Sequence, residues 1–152
     1  MDFEEFKDKI ENSENDKEAN RLLIERYPFL IPRNMWSGEI VPDYDYTYTK
    51  LDSLGKVWKD DFGLDLCEEL TEALGDNVKD YRPTQIKEKY GELRWYDFGN
   101  TREGMKVIDK YADRSREICY RCGKPATHYT TGWISYVCEE HAEESGNAKE
   151  LE

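Results

Sequence analysis

Apolar residues recur along this chain with two different periods. Phe3, Phe6 and Ile10 stand three and four apart with charges between them, which predicts a short amphipathic helix over residues 2–12. The polar run at residues 11–16 breaks it and can cap a second helix, whose buried stripe is Leu22, Leu23 and Tyr27 and which Pro28 stops. Phe29, Leu30 and Ile31 lie between Pro28 and Pro32 and read as a buried extended segment. The helical spacing returns at Phe62, Leu66, Leu70 and Ala73 or Leu74, with Gly75 as the stop and Cys67 beside the stripe as a small hydrophobe.

Period-two patterning marks the rest. Tyr44, Tyr46 and Tyr48 alternate with Asp45, Thr47 and Thr49, so a strand there would put three phenols on one face. Around Gly91-Glu92, a glycine-first pair that favours a type II′ turn, two strands predict a hairpin. Pairing Tyr90 with Leu93 puts Ile86, Glu88, Tyr90, Leu93 and Trp95 on one face and Lys87, Lys89, Arg94, Tyr96 and Phe98 on the other. Thr101 can cap a helix to about residue 117, with Met105, Ile108, Ala112 and Ser115 inward. A second hairpin is expected over residues 127–137, turning at Thr131-Gly132. The tail from residue 143 has no apolar anchor and is expected to fray.

These elements predict an α+β fold: a small single domain with N-terminal helices, a central antiparallel hairpin and a C-terminal zinc-ribbon-like module. Residues 1–100 form an acidic α+β region, 101–142 a helix with the knuckle module packed on it, and 143–152 a flexible acidic tail.

The chemistry concentrates near the C-terminus. Cys119 and Cys122 form a CxxC knuckle, and after fifteen intervening residues Cys138 and His141 form a CxxH. Three thiolates and one imidazole at this spacing suit Zn²⁺, and Gly123 supplies the knuckle turn. Four protein ligands fill a tetrahedral ion, so the site is structural and has no open position to activate water. His128, on the alternating stretch, is the alternative fourth ligand.

With 152 residues the chain is long enough for one real core, and 13% aromatic residues argue against disorder despite 37% charged residues. The net charge of −12 is unevenly spread. Residues 1–81 carry 10 basic and 21 acidic side chains, net −11; residues 82–133 carry 11 and 7, net +4; the remainder is −5. Such a chain repels nucleic acid at long range and favours basic partners, while its central segment can act in the opposite sense. No apolar run is long enough to span a membrane and no charged-then-apolar leader is present, so a cytoplasmic protein is expected. Motifs for a zinc deaminase, a phosphate loop, HExxH or GxSxG are missing, and no enzyme is expected.

Two binding surfaces remain. Asp43, Tyr44, Asp45, Tyr46 and Tyr48 form an acidic, tyrosine-rich stretch suited either to covering the core or to recognising a protein. Lys87, Lys89, Arg94 and Tyr96 interleave cations and an aromatic ring on the outer hairpin face, as nucleic-acid contact requires; lysines there also protect a sheet from aggregation.

The stretches IPRNMWSG, QIKEKYGELRWYDFG, CYRCGKPATH and GWISYVCEEHA together resemble a family of small uncharacterised bacteriophage and prophage proteins. Those proteins join a KxGxLRxY-like hairpin to a C-terminal CxxCGKP knuckle. The resemblance spans most of residues 27–142 and implies a phage accessory role in a bacterial host, with a metal bound through Cys119, Cys122, Cys138 and His141. It implies no activity. In that setting the acidic surface would engage a host protein, as an anti-defence inhibitor or nucleic-acid mimic.

Overall fold

The computed structural model describes residues 1–152 and has an α+β architecture. Helices α1 (Phe3–Glu11) and α2 (Asp16–Arg26) begin where Asp2 and Asn15 accept hydrogen bonds from the backbone N–H groups of Glu5 and Glu18. They are followed by a single 3₁₀ turn, Pro28–Leu30. The extended segment expected there does not form, because Pro28 sits at the first helical position, where its fixed φ starts a turn.

Residues 50–54 make another 3₁₀ turn, opened by a capping box between Thr49 and Asp52. A helical run then begins with α3 (Lys56–Trp58), widens into a π-helical segment (Lys59–Gly63) and continues as α4 (Leu64–Leu74). Phe62, Leu66, Cys67, Leu70 and Leu74 are buried along it, as the spacing predicted.

Strands β1 (Arg82–Lys89) and β2 (Glu92–Phe98) pair antiparallel, Lys89 opposite Glu92 and Ile86 opposite Trp95. The turn is therefore centred on Tyr90-Gly91, one residue earlier than expected. Both residues have positive φ, 54° and 79°, which is the type I′ geometry rather than II′. Ile86, Leu93 and Trp95 are buried as predicted, but Tyr90 moves from the core face to the turn and is 64% exposed.

Helix α5 (Arg102–Ser115) starts at Thr101, whose hydroxyl accepts the N–H of Gly104 at 3.0 Å. Its buried positions are Gly104, Tyr111 and Ser115; Ser115 and Ile108 face the core as expected, while Met105 points outward and Tyr111 takes the central inward place. Ser115 Oγ accepts the N–H of Leu93 at 3.0 Å and ties this helix to β2. One core of 19 buried residues joins α1, α2, α4, the hairpin and α5, and ends at Ile118. Burying that many large side chains is what stabilises the body of the fold.

After Ile118 a second, smaller unit begins. Strands β3 (His128–Thr130) and β4 (Tyr136–Val137) form the expected second hairpin, and α6 (Glu139–Ser145) follows. The tail from residue 143 ends α6 and then contributes a further strand. Strand β5 (Ala148–Glu150) pairs antiparallel with β3, completing a sheet in the order β4-β3-β5. Gly146 turns the chain in the left-handed region, Ala148 packs against the small core of this unit, and backbone bonds plus Asn147, whose Nδ2 donates to Thr131 O at 2.6 Å, complete the attachment. No helix is long and apolar enough to cross a membrane.

Candidate metal centre and adjoining surfaces

Cys119 leaves the main core at Ile118 and enters a tight knuckle. Its N–H donates to Lys124 O at 2.7 Å, and Gly123 N–H donates back to Cys119 O at 2.8 Å. The loop closes only with Gly123 at φ +82°, a conformation that side chains with a Cβ rarely adopt. Cys138 is the N-cap of α6, and His141 follows in the first turn, three residues on and on the same side. The hairpin between the knuckles is held across its base by Tyr120 N–H to Tyr136 O and Thr127 N–H to Val137 O, both at 2.9 Å.

The outcome is a convergence of four donors. The three sulfurs and a His141 ring nitrogen lie within 4.8 Å of one another, a cluster able to hold a metal ion. Cys122 Sγ is 3.7 Å from Cys138 Sγ, and His141 Nδ1 is 3.4 Å from Cys119 Sγ and 3.2 Å from Cys138 Sγ. His128 takes no part; its Nδ1 lies 2.7 Å from Thr127 Oγ1. Burial opposes ionisation of Cys119, but backbone N–H groups of Cys138, Arg121 and Cys122 outweigh it and lower the thiol pKa below the ordinary value. Cys67 lies apart in α4, where complete burial pushes its pKa up and keeps it a thiol.

Around the donors the apolar packing is thin. The buried residues are Cys119, Val137, Cys138 and Ala142, with Ala148 against them. The unit docks on the body through Tyr120, whose ring meets Trp58 edge-on at 4.8 Å, and through Gly91. A Cβ at Gly91 would come within 3.0 Å of the Tyr136 ring.

The tyrosine stretch is not a strand. Asp43 and Tyr46 have φ of 56° and 64°, which folds residues 42–48 into successive turns. The three phenols nevertheless gather, because the turns bring them onto Tyr44: Tyr46 is 4.9 Å and Tyr48 5.7 Å away between ring centres. Tyr44 OH donates to Tyr48 O, and burial and the neighbouring phenols push the Tyr44 pKa up to about 12. Asn20 Nδ2 donates to Tyr46 O at 2.8 Å and the Arg21 guanidinium lies 4.3 Å over the Tyr46 ring, so α2 carries the loop. Asp43, Asp45 and Tyr48 are exposed, while Tyr44 and Tyr46 are half-buried.

On the outer hairpin face Lys87 sits 5.9 Å over the Tyr96 ring, and Lys89 lies 5.6 Å over Tyr90. Arg94 is paired with Glu92 at 3.1 Å, and Arg116 reaches the same carboxylate at 3.0 Å. Two outward cations of α5 are similarly engaged, Lys110 with Glu69 and Arg114 with Asp61. Arg82 lies 5.6 Å over Phe98, beside this face, and Phe98 is exposed.

Beside the tyrosine loop lies a cavity that the periodicity did not reveal. It is lined by residues of α1, α2, Thr47, the 3₁₀ turn and the π-helical segment. Asn20, 26 residues from its partner Tyr46, belongs to this wall, and no local signal marks such a contact. No protein family, curated protein or solved structure matches the chain.

Proposed function

We propose that the protein is a non-enzymatic binding module in which Zn²⁺ fixes the C-terminal unit and the acidic, tyrosine-rich loop engages a basic partner protein, in a phage setting a protein of the bacterial host. The S₃N donor set favours zinc over the oxygen-seeking Mg²⁺ and Ca²⁺. Zn–S bonds of about 2.3 Å and a Zn–N bond of about 2.0 Å, arranged tetrahedrally, place sulfurs roughly 3.8 Å apart and S···N roughly 3.5 Å. Three of the donor pairs, at 3.7 Å and 3.2–3.4 Å, are close to those spacings, and all four donors lie within 4.8 Å of one another. Four protein ligands leave no position for a reacting water, which supports a structural role.

The observation that carries the binding reading is the backbone of the loop. Asp43 and Tyr46 are both non-glycine residues in the left-handed region, each costing on the order of 1 kcal/mol. The turns so formed leave Asp43, Asp45 and Tyr48 exposed in the half of the chain whose net charge is −11. Tyrosines anchored by packing and flanked by acids suit a basic protein surface.

A second reading has its own observation. Tyr96 and Phe98 are exposed, 45% and 64%, each with a cation over its ring, an arrangement that stacks unpaired bases. The pairing of Arg94, Arg114 and Lys110 with carboxylates ranks it second.

Two measurements test the proposal. Elemental analysis of the purified chain is expected to find one zinc per molecule, and zero would remove the scaffold. Capture from nuclease-treated bacterial lysate is expected to retain a stoichiometric protein that Asp43→Asn/Asp45→Asn/Tyr48→Ala loses. Nucleic acid retained before nuclease and nothing afterwards would transfer the function to the hairpin face, with a salt slope that Lys87→Ala reduces.

A further inference from the structure

We infer that the cleft where the tip of the β1–β2 hairpin meets the turn of the second hairpin takes a base of single-stranded nucleic acid against Tyr90 and Trp133. The inference stands apart from the acidic loop; it rests on the nucleic-acid reading of the hairpin face and adds to it a site that includes the C-terminal unit. The cleft measures about 230 Å³, with Glu88, Lys89 and Tyr90 contributed by the hairpin and Gly132, Trp133 and Ile134 by the turn. That is smaller than the roughly 300–1,000 Å³ of sites for drug-sized ligands and suits a single ring system.

The fold explains neither aromatic ring. Tyr90 is 64% exposed and Trp133 83%, so burial accounts for neither. Isolated exposed aromatics are ordinary, but these two come from distant parts of the sequence and meet at one cleft. Tyr90 also holds the first central position of a type I′ turn at φ 54°, where Asn, Asp or Gly is preferred, so the turn carries a strained residue that its geometry does not call for.

The backbone under each ring is fixed. Gly91 lies so close to the second hairpin that a Cβ would come within 3.0 Å of the Tyr136 ring and 3.2 Å of Ile134 O, and Glu88 Oε2 accepts the Gly91 N–H at 2.8 Å. Across the cleft, Thr130 Oγ1 donates to Trp133 O at 2.6 Å and accepts the Ser135 N–H at 2.9 Å. Both walls are thus set before any ligand arrives, and a preorganised site loses less entropy on binding.

Charge selects the occupant. Lys89 lies 5.6 Å over the Tyr90 ring and forms no ion pair. Two π surfaces beside an ammonium group match a planar ring joined to an anion, which is a nucleobase with its phosphate. A cationic ligand would be repelled by Lys89. Duplex bases are held in their stack, so the strand must be single. The same pairing of cation and ring recurs along the hairpin, Lys87 over Tyr96 and Arg82 over Phe98, and residues 82–133 carry a net charge of +4. A strand leaving the cleft therefore meets further stacking sites, which a free nucleotide could not use.

The test is fluorescence anisotropy of labelled single-stranded DNA and RNA oligonucleotides titrated with the zinc-bound protein, with duplex DNA, adenosine monophosphate and polyglutamate as competitors. The single strands are expected to bind, and Trp133→Ala and Tyr90→Asn each to weaken binding about tenfold. Tyr90→Asn relieves the turn, so its loss of binding cannot be laid to misfolding, and Tyr90→Phe is expected to bind like the wild type. Lys89→Ala is expected to reduce the salt slope by about one. Full affinity in both Trp133→Ala and Tyr90→Asn would overturn the cleft; if Tyr96→Ala then weakened binding, the hairpin face would stand without it. Competition by duplex as strong as by single strand would overturn base insertion, equal competition by the mononucleotide would overturn the strand as occupant, and equal competition by polyglutamate would reduce the site to charge alone. No binding of either strand would overturn the inference together with the nucleic-acid reading, leaving the acidic loop to be judged by the capture experiment.

Discussion

Stripping the metal is expected to unfold the C-terminal unit while the body of the protein stays folded. Inside that unit the buried apolar contribution comes from Val137 and Ala142, beside two of the ligands themselves. Burying a valine and an alanine side chain contributes about 3 kcal/mol together, at about 0.8 kcal/mol per methyl or methylene group. A structural zinc in a small domain contributes about 10–16 kcal/mol at neutral pH. The ion therefore outweighs the local core severalfold, whereas the body has 19 buried residues of its own.

Hydrogen exchange before and after chelation reads this directly. The N–H groups of Tyr120, Thr127 and Leu151, bonded to Tyr136 O, Val137 O and Thr127 O, are expected to lose protection. Amides of α4 and of the β1–β2 ladder are expected to keep it, with the boundary between Ile118, in the main core, and Cys119. Retained protection in the unit after complete metal loss would refute the scaffold role, and simultaneous loss throughout the chain would refute its separateness.

Glu68 accepts Arg26 Nε and Nη2, both at 2.8 Å, and Tyr27 OH at 2.7 Å, so Glu68→Gln is expected to cost about 1–3 kcal/mol in urea unfolding at pH 7. The Arg26 hydrogen bonds, opposed by burial and aided by Tyr27, lower the folded pKa below the ordinary 4.5, so the stabilisation is complete above pH 4.5 and vanishes as pH falls through the folded value; a pH-independent gap between the two proteins would contradict this. A disulfide reagent is expected to find no reactive thiol in the metal-bound protein, three after chelation and the fourth, Cys67, only in denaturant, because Cys67 is wholly buried and its pKa raised by that burial. Tyr90→Asn, which places Asn-Gly in a type I′ turn, is expected to stabilise by about 1 kcal/mol and raise Tm by ~3 °C in calorimetry; a lower Tm would mean that the Tyr90 ring under Lys89 outweighs the backbone strain.

What could be read from the sequence depended on how local its cause was. The knuckle ligands were legible because metal geometry fixes their spacing, and the helices at Phe3, Phe62 and Thr101 because period and caps agree within one segment. The hairpin turn was misplaced by one residue because a glycine-first pair implied type II′, whereas the fold accepts a strained Tyr90 to form type I′. Residue parity survived the shift, so the buried face was still right. The C-terminal strand was invisible because it is held by backbone bonds to β3, and a period-two signal needs side chains that face a core. The alternating tyrosines misled in the opposite sense: the pattern was that of a strand, but left-handed residues at 43 and 46 interrupt it and the rings gather by turning.

The division between the two cores also separates a bound metal from the tyrosine loop. Asp43, Asp45 and Tyr48 stand on a body whose packing does not include the metal ligands, so the ion is not required to shape that loop. The closest physical link runs through Tyr120, which follows Cys119 directly and meets Trp58 at 4.8 Å. Trp58 is fully buried and is followed by Lys59 and Asp60, which line the cavity. Loss of the metal is expected to release Tyr120 from one side of Trp58, whereas Asn20 bonds the tyrosine loop from α2. Metal loss is therefore expected to be felt at Trp58 from its Tyr120 side, and the tyrosine loop, held by Asn20 and Arg21 of α2, is expected to keep its conformation.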